Sequence, residues 1–201
     1  SQGKVLVIGG SVGMSGAAIF CASAALKSGA GLVKMCIPES LNTIIESSFT
    51  EAITVPCRDS HSGILGEKNL EEIEKCIEWC DSIIIGPGMG IHKETIKLID
   101  RILKISNKPT VVDADALTAL SENDGVSTLN ENIILTPHFG EIARLMKISI
   151  DEVKENFISN INVFMSSFSG TLVLKSTPVS VIKNSQGSIN ISGNQGLASA
   201  G

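Results

Sequence analysis

The chain has 201 residues, 43% of them hydrophobic and 18% charged, a balance that excludes a disordered segment and suffices to bury a full core. Six Phe, one Trp and no Tyr leave the core aliphatic and exclude aromatic stacking on bases as a main binding device. Sixteen basic against 21 acidic residues, a formal charge of -5, argue against a nucleic-acid partner. A small anion stays open, because free N–H groups at a helix start hold phosphate whatever the net charge.

Cys21, Cys36, Cys57, Cys76 and Cys80 form an odd set with no His spaced to complete a zinc quartet. Read as free thiols, they lead us to expect a reducing, cytoplasmic compartment. Ser1-Gln2-Gly3 runs straight into a strand without a signal peptide, and no apolar run is long enough to cross a membrane, so no membrane partner is expected.

In chain order, Lys4 to Ile8 predicts a strand ending at Gly9-Gly10, and Gly16 to Gly29 an Ala-rich helix closed by glycine. Leu32 to Ile37 is a second strand, followed by a helix over Glu39 to Ser47 and a small strand over Ala52 to Val55. After a polar loop from Ser60 to Gly66, Glu67 to Cys80 reads as a charged helix with Leu70, Ile73, Ile77 and Cys80 inward. Ser82 to Ile85 is apolar enough to be buried on both faces, and His92 to Lys104 is a helix with Ile96, Ile99 and Leu103 on its stripe. Pro109 to Val112 and Asn132 to Leu135 predict strands, with one or two helical turns over Ala116 to Leu120 between them. Helices follow over Phe139 to Met146 and Ile150 to Phe157, then short strands over Thr171 to Leu174, Pro178 to Ile182 and Ser188 to Ile191. Strands alternating with helices imply an α/β domain with a mostly parallel central sheet, helices on both faces and a hairpin at one edge. We expect one domain over 1–201. Its last residues, Gly196 to Gly201, read as the start of a loop and helix, so a C-terminal segment is expected to be missing.

Four loops follow strand ends and open on the carboxyl edge of such a sheet, where ligands bind. Gly9 to Gly16 either cradles an anion or packs helix on strand; its spacing does not match a dinucleotide fingerprint. Gly86-Pro87-Gly88-Met89-Gly90 is either a rest for a flat group or a structural turn. Asp113 and Asp115 suit Mg2+ held through water or a phosphate-bearing ligand, with helix capping as the other reading of Asp115. In Thr136-Pro137-His138-Phe139-Gly140-Glu141, Thr136 can cap a helix with Pro137 at its first position, Glu141 favours the first turn, and His138 meets a ligand or a nearby carbonyl. Lys175, before Ser176-Thr177, is a phosphate contact or a surface lysine, and Gly193-Asn194-Gln195-Gly196 is a polar turn.

In this order, VLVIGGS, AALKSGAGLV, IGPGMG, VVDADAL, ILTPHFGEIARL, LVLK and GNQGLASAG resemble the ATP- or ADP-dependent NAD(P)H-hydrate dehydratases of the ribokinase-like superfamily. The resemblance implies a three-layer ribokinase-like fold and nucleotide-dependent dehydration of the hydrated cofactors NADHX and NADPHX back to NADH and NADPH. ADP or ATP with Mg2+ would serve the reaction, and the resemblance implies a homo-oligomer, with a tetramer as the expected form. By the same likeness Ala17, Gly88, Gly90 and His138 would bind the hydrated cofactor. Lys175, Ser176, Thr177, Pro178, Val179, Asn194 and Gly201 would border the adenine nucleotide. Asp113, Asp115 and Glu141 would organise phosphate and magnesium without a direct metal ligand. The family's catalytic base is an Asp in a Ser-Gly-Asp stretch expected just beyond Gly201. A related kinase of a small alcohol or vitamin precursor and a non-catalytic ligand-binding remnant are the alternatives. A nicotinamide oxidoreductase fits less well, for want of a Tyr.

Overall fold

The computed structural model describes residues 2–184 and 186–191. Strands β1 (Lys4–Ile8), β2 (Leu32–Pro38), β3 (Ile53–Cys57), β4 (Ser82–Ile85), β5 (Thr110–Val112), β6 (Ile133–Leu135), β7 (Thr171–Leu174), β8 (Val179–Lys183) and β9 (Gln186–Asn190) form one sheet. Their order is β3-β2-β1-β4-β5-β6-β7-β8-β9. The first seven run parallel, and β8 and β9 fold back antiparallel as the expected edge hairpin.

Helices α1 (Ser15–Lys27) and α2 (Asn42–Ser48) lie on one face, where Ala18, Ala22 and Ile45 meet Val7, Val33, Met35 and Ile37. On the other face lie α3 (Leu70–Trp79), α4 (Lys93–Ile105), α5 (Asp115–Glu122), α6 (Phe139–Met146), α7 (Ile150–Glu155) and α8 (Phe157–Ser167), which cover Leu6, Ile8, Ile83, Ile85, Val112, Leu135, Leu172 and Leu174. Right-handed crossovers dictate this division: the chain moves outward one way from β1 to β3 and the opposite way from β4 to β7, so the helices change face. Among the described residues, no helix from α3 to α8 contributes to the first face, and Val111, Ile134 and Val173, which alternate away from the covered core, remain partly exposed there.

Two local differences from expectation have physical causes. Phe157 to Ser167 is a separate helix, α8, whose period is masked because Ile158 and Val163 point outward while Ile161, Phe164 and Met165 are buried. The helices expected from Glu39 and from Glu67 each open with a 3-10 turn, Glu39–Leu41 and Glu67–Asn69. All five cysteines are free. Cys36, Cys57 and Cys76 meet on the face covered by α3 to α8, where hydrogen bonds with Cys57 and then Cys76, together with burial, raise the Cys36 thiol, while the hydrogen bond with Cys36 lowers Cys76 to about 7.

Candidate active site

The direction of strand order reverses between β1 and β4, leaving a crevice at their carboxyl ends. The two glycine loops meet there. Gly10 N–H donates to the Pro87 carbonyl at 2.9 Å, and a Cβ on Gly9 would stand 2.7 Å from that oxygen. Gly88, at φ +66, would bring a Cβ to 2.8 Å from the Met14 carbonyl and 3.0 Å from the Ala17 Cβ. These glycines let main chain pack on main chain, which answers the packing alternative for the first loop. Gly86 is tighter still: at φ +120, an added Cβ would fall 1.9 Å from the Asp113 carbonyl.

The next strand end carries both aspartates, turned to different sides. Asp113 Oδ1 accepts from Thr136 Oγ1 at 2.9 Å and from Lys175 Nζ at 2.6 Å. Lys175 also reaches Glu141 Oε2 at 3.8 Å, so Asp113 and Glu141, expected at the phosphate and magnesium region, and Lys175, expected at the nucleotide, form one charged group. Asp115 Oδ2 accepts from Gly90 N–H at 2.8 Å, holding the second glycine loop rather than capping α5, whose cap residue is Ala114. Ala114 has φ +51, a strained value for a side-chain-bearing residue, and it is this twist that lets neighbouring carboxylates serve opposite sides. Burial pushes the Cys21 thiol on α1 up to about 11, with Asp113 adding to the rise and Lys175 opposing it.

His138, not Thr136, caps α6. Its Nδ1 accepts from the N–H groups of Gly140 at 2.9 Å and Glu141 at 3.3 Å, while Glu141 Oε2 takes the His138 N–H at 2.7 Å. An accepting Nδ1 leaves Nε2 as the protonated nitrogen of the neutral ring, at the cavity wall and 3.6 Å from Glu141 Oε2. Thr136 instead turns back to Asp113 and the Val112 carbonyl.

A cavity of ≈ 930 Å³ opens beside these groups, lined by Met14, Gly90, Asp115, His138, Glu141 and, farther out, Thr118, Arg144 and Lys147. Of the expected cofactor contacts, Gly90 and His138 line it, whereas Ala17 and Gly88 do not; they lie close enough together that a Cβ on Gly88 would stand 3.0 Å from that of Ala17. Ser176 to Val179 form the turn into β8, where Ser176 Oγ donates to the Pro178 carbonyl at 2.6 Å and Thr177-Pro178 is cis. Asn194 and Gly201 lie outside the described residues. The described residues hold no group of three or more His, Cys, Asp or Glu side chains placed to grip a metal ion. Asp113 and Asp115 accept hydrogen bonds from Thr136, Lys175 and Gly90, and these carboxylates suit the water shell of a Mg2+ carried on bound phosphates.

Asp59 escaped the sequence reading. It is 2% exposed and accepts from Ser40 Oγ at 2.6 Å, His61 N–H at 3.0 Å and Gly63 N–H at 3.0 Å. The loop so fixed receives the Val12 N–H on the Gly63 carbonyl at 2.9 Å and thereby braces the first glycine loop. The polar run Ser60 to Gly66 signalled a loop, but the long-range partner of Asp59 beside it left no local trace.

A parallel sheet with this strand order and its polar loops gathered at the switch point define a ribokinase-like α/β domain. A ribokinase-like superfamily protein from Enterococcus faecalis superposes with a TM-score of 0.84 at 25% identity, covering 98% of this chain and 66% of that one. The chain belongs to the NAD(P)H-hydrate dehydratase family, whose pattern it matches over residues 5–201. A bifunctional NAD(P)H-hydrate repair enzyme from Moorella thermoacetica is 34% identical over 201 residues, covering 99% of this chain and 38% of that protein. The ADP/ATP-dependent NAD(P)H-hydrate dehydratase of Bacillus subtilis, co-crystallised with ATP/Mg2+, has the same fold, with a TM-score of 0.76 at 23% identity and 98% and 68% coverage. The chain thus spans under two fifths of the Moorella relative's length. No helix among the described residues is long and apolar enough to cross a membrane.

Proposed function

We propose that this chain provides the cofactor and nucleotide sites of an enzyme that dehydrates NADHX and NADPHX to NADH and NADPH at the expense of ATP or ADP. The observation that carries the reading is the meeting of an open cavity, lined by Gly90, Asp115 and His138, with the Asp113–Lys175 pair at one sheet edge. Bound nucleotide with Mg2+ would supply the phosphoryl group that turns the ring hydroxyl into a leaving group. His138 offers Nε2–H to the hydrated ring, and its orientation is fixed from below by the cap bonds of α6. Asp115 keeps Gly90 against the cavity, so the ring would rest on ordered main chain. Lys175 would exchange part of its contact with Asp113 for phosphate oxygens, neutralising charge where an in-line transfer needs it.

The base that takes the ring-hydroxyl proton belongs, in this reading, to a segment after Gly201, with Asn194 and Gly201 bordering the nucleotide. The partly exposed sheet face at Val111, Ile134 and Val173 supports such a segment, because parallel sheets carry helices on both faces. Free cysteines support a cytoplasmic setting. Phe20 at 68% exposure supports a homo-oligomer, a tetramer by the family's habit, which light scattering after gel filtration would test.

The deciding assay incubates full-length protein with hydrated NADH and each nucleotide and follows recovery of NADH absorbance. Recovery with ATP or ADP is expected. Net phosphorylation of thiazole or pyrimidine alcohols without recovery would establish the kinase alternative, and neither activity would leave a ligand-binding remnant.

A further inference from the structure

The function proposed above uses only the inner end of the cavity. From His138 the cavity continues along α5 and α6 to Glu122, Arg144 and Lys147. His138 and Lys147 cap opposite ends of α6, which places them roughly 13 Å apart at the helical rise. We infer that this outer trough is a subsite for the phosphate-bearing adenylate half of the hydrated dinucleotide, with Arg144 as its cationic anchor. The inference rests on the proposed substrate, whose two halves require an elongated site.

Three observations select Arg144. First, its Nη1 donates to Thr118 Oγ1 at 2.9 Å, which ties the head from α6 across to α5 instead of leaving it free in solvent. A guanidinium has five N–H donors in a planar fork, so most remain for phosphate oxygens. Second, the acids on the inner wall already have partners: Asp115 accepts from Gly90 N–H, and Glu141 from His138 N–H. Neither carboxylate is ion-paired with Arg144, whose head contacts Thr118. Third, Lys175, at the end of β7, lies against Asp113 and does not line the trough. The geometry thus separates a place for the nucleotide's phosphates from a place for the dinucleotide's. At the outer rim, Lys147 is held at φ +57 and pairs with Asp124, and Glu122 presents an acceptor suited to a ribose hydroxyl.

Calorimetric titration of full-length protein with hydrated NADH, its hydrated nicotinamide mononucleotide half and ADP tests the assignment. Replacing Arg144 by Gln should raise the Kd for hydrated NADH about tenfold, as loss of a charge-assisted phosphate contact does. The mononucleotide and ADP should bind as before, and Arg144→Lys should recover part of the loss. Lys147→Asn, which tolerates the left-handed backbone, should weaken hydrated NADH less and in the same direction. It also decides the matter should Arg144→Gln fail to fold. An unchanged Kd for hydrated NADH, or an equal loss for the mononucleotide or ADP, overturns the subsite alone. Failure of the unsubstituted protein to bind hydrated NADH overturns the proposed function and the subsite together.

Discussion

On the β5–β7 side of the carboxyl edge, Asp113 and Lys175 face each other at 2.6 Å, with Thr136 on the same carboxylate oxygen. On the α5–α6 side, Asp115 and Glu141 each receive a backbone N–H, and the His138 ring is locked by two more. The first side is built from opposed charges that an arriving anion can re-partner. The second is built from carboxylates spent on holding main chain, so its shape is fixed before any ligand arrives. A partly exposed ion pair adds little to stability, whereas each main-chain tie fixes a loop. The side that handles charge is therefore adjustable, and the side that holds a ring is rigid.

Both sides hang on Gly86, and its replacement has the largest expected effect. Gly86→Ala puts a Cβ at 1.9 Å from the Asp113 carbonyl with φ at +120, and 2.7 Å from the Ala116 Cβ. A loss of about 3 kcal/mol or more is expected from urea denaturation, with both ligands affected together. A variant that kept its stability and lost only one ligand would show that the two sides do not share this support.

The sides are separated by charge removal. Lys175→Ala should weaken ADP about tenfold, the scale of one charge-assisted hydrogen bond, and leave hydrated NADH little changed. Asp115→Asn keeps an acceptor for Gly90 N–H, so hydrated NADH affinity should move by much less. Equal losses in the two variants would break the distinction between a charge-built and a shape-built side.

Sequence pattern carried the layers well, because alternating apolar strands and amphipathic helices are local signals. The nine strands among the described residues fall where apolar runs predict them, within a few residues, and the closing hairpin pairs as expected. Helix α8 was hidden by its outward Ile158 and Val163, since periodicity cannot tell an apolar residue facing out from one facing in. At the site, the loops were legible by their position after strands, but the use of their polar groups was not. Thr136 looks like a cap and instead turns to Asp113; His138 looks like a ligand contact and is also the cap. Such choices depend on which partner folding brings within 3 Å, and Lys175 meets Asp113 across 62 residues.

Asp59 offers a gentler probe of rigidity. Burial works against its charge, but the hydrogen bonds from Ser40, His61 and Gly63 outweigh that cost and hold the carboxyl below its usual range. A depressed folded value means that its contribution is present above the ordinary carboxylate pKa of about 3.9 and is lost as pH falls toward the lower folded value. Asp59→Asn should cost about 1 kcal/mol near neutral pH, and the gap to the parent should narrow on acidification through that window. Denaturation at several pH values checks this; a gap that widens in acid would remove the charge from the account. Hydrated NADH affinity should fall modestly with it, because the brace on Val12 loosens the first glycine loop but leaves Asp115 and His138 in place.

The smallest effect is expected on the partly exposed sheet face. Ile134 sits in β6 between Ile133 and Leu135, which are 1% and 0% exposed on the side covered by α3 to α8, while Ile134 itself alternates toward the other face, at a part of it where α1 and α2 do not pack. Ile134→Thr keeps a β-branched residue of good strand propensity and gives up little buried surface, so a change within about 0.5 kcal/mol is expected in the 201-residue chain. The same substitution should cost more, about 1 to 3 kcal/mol, in the full-length protein if a further segment packs on this face and buries the new hydroxyl without a partner. Thermal or urea denaturation of the two lengths side by side reads that difference. An equal, small cost in both would leave the face open to solvent and remove its support for a packed C-terminal segment, while the ring-holding side at Asp115 and His138 would stand unaltered.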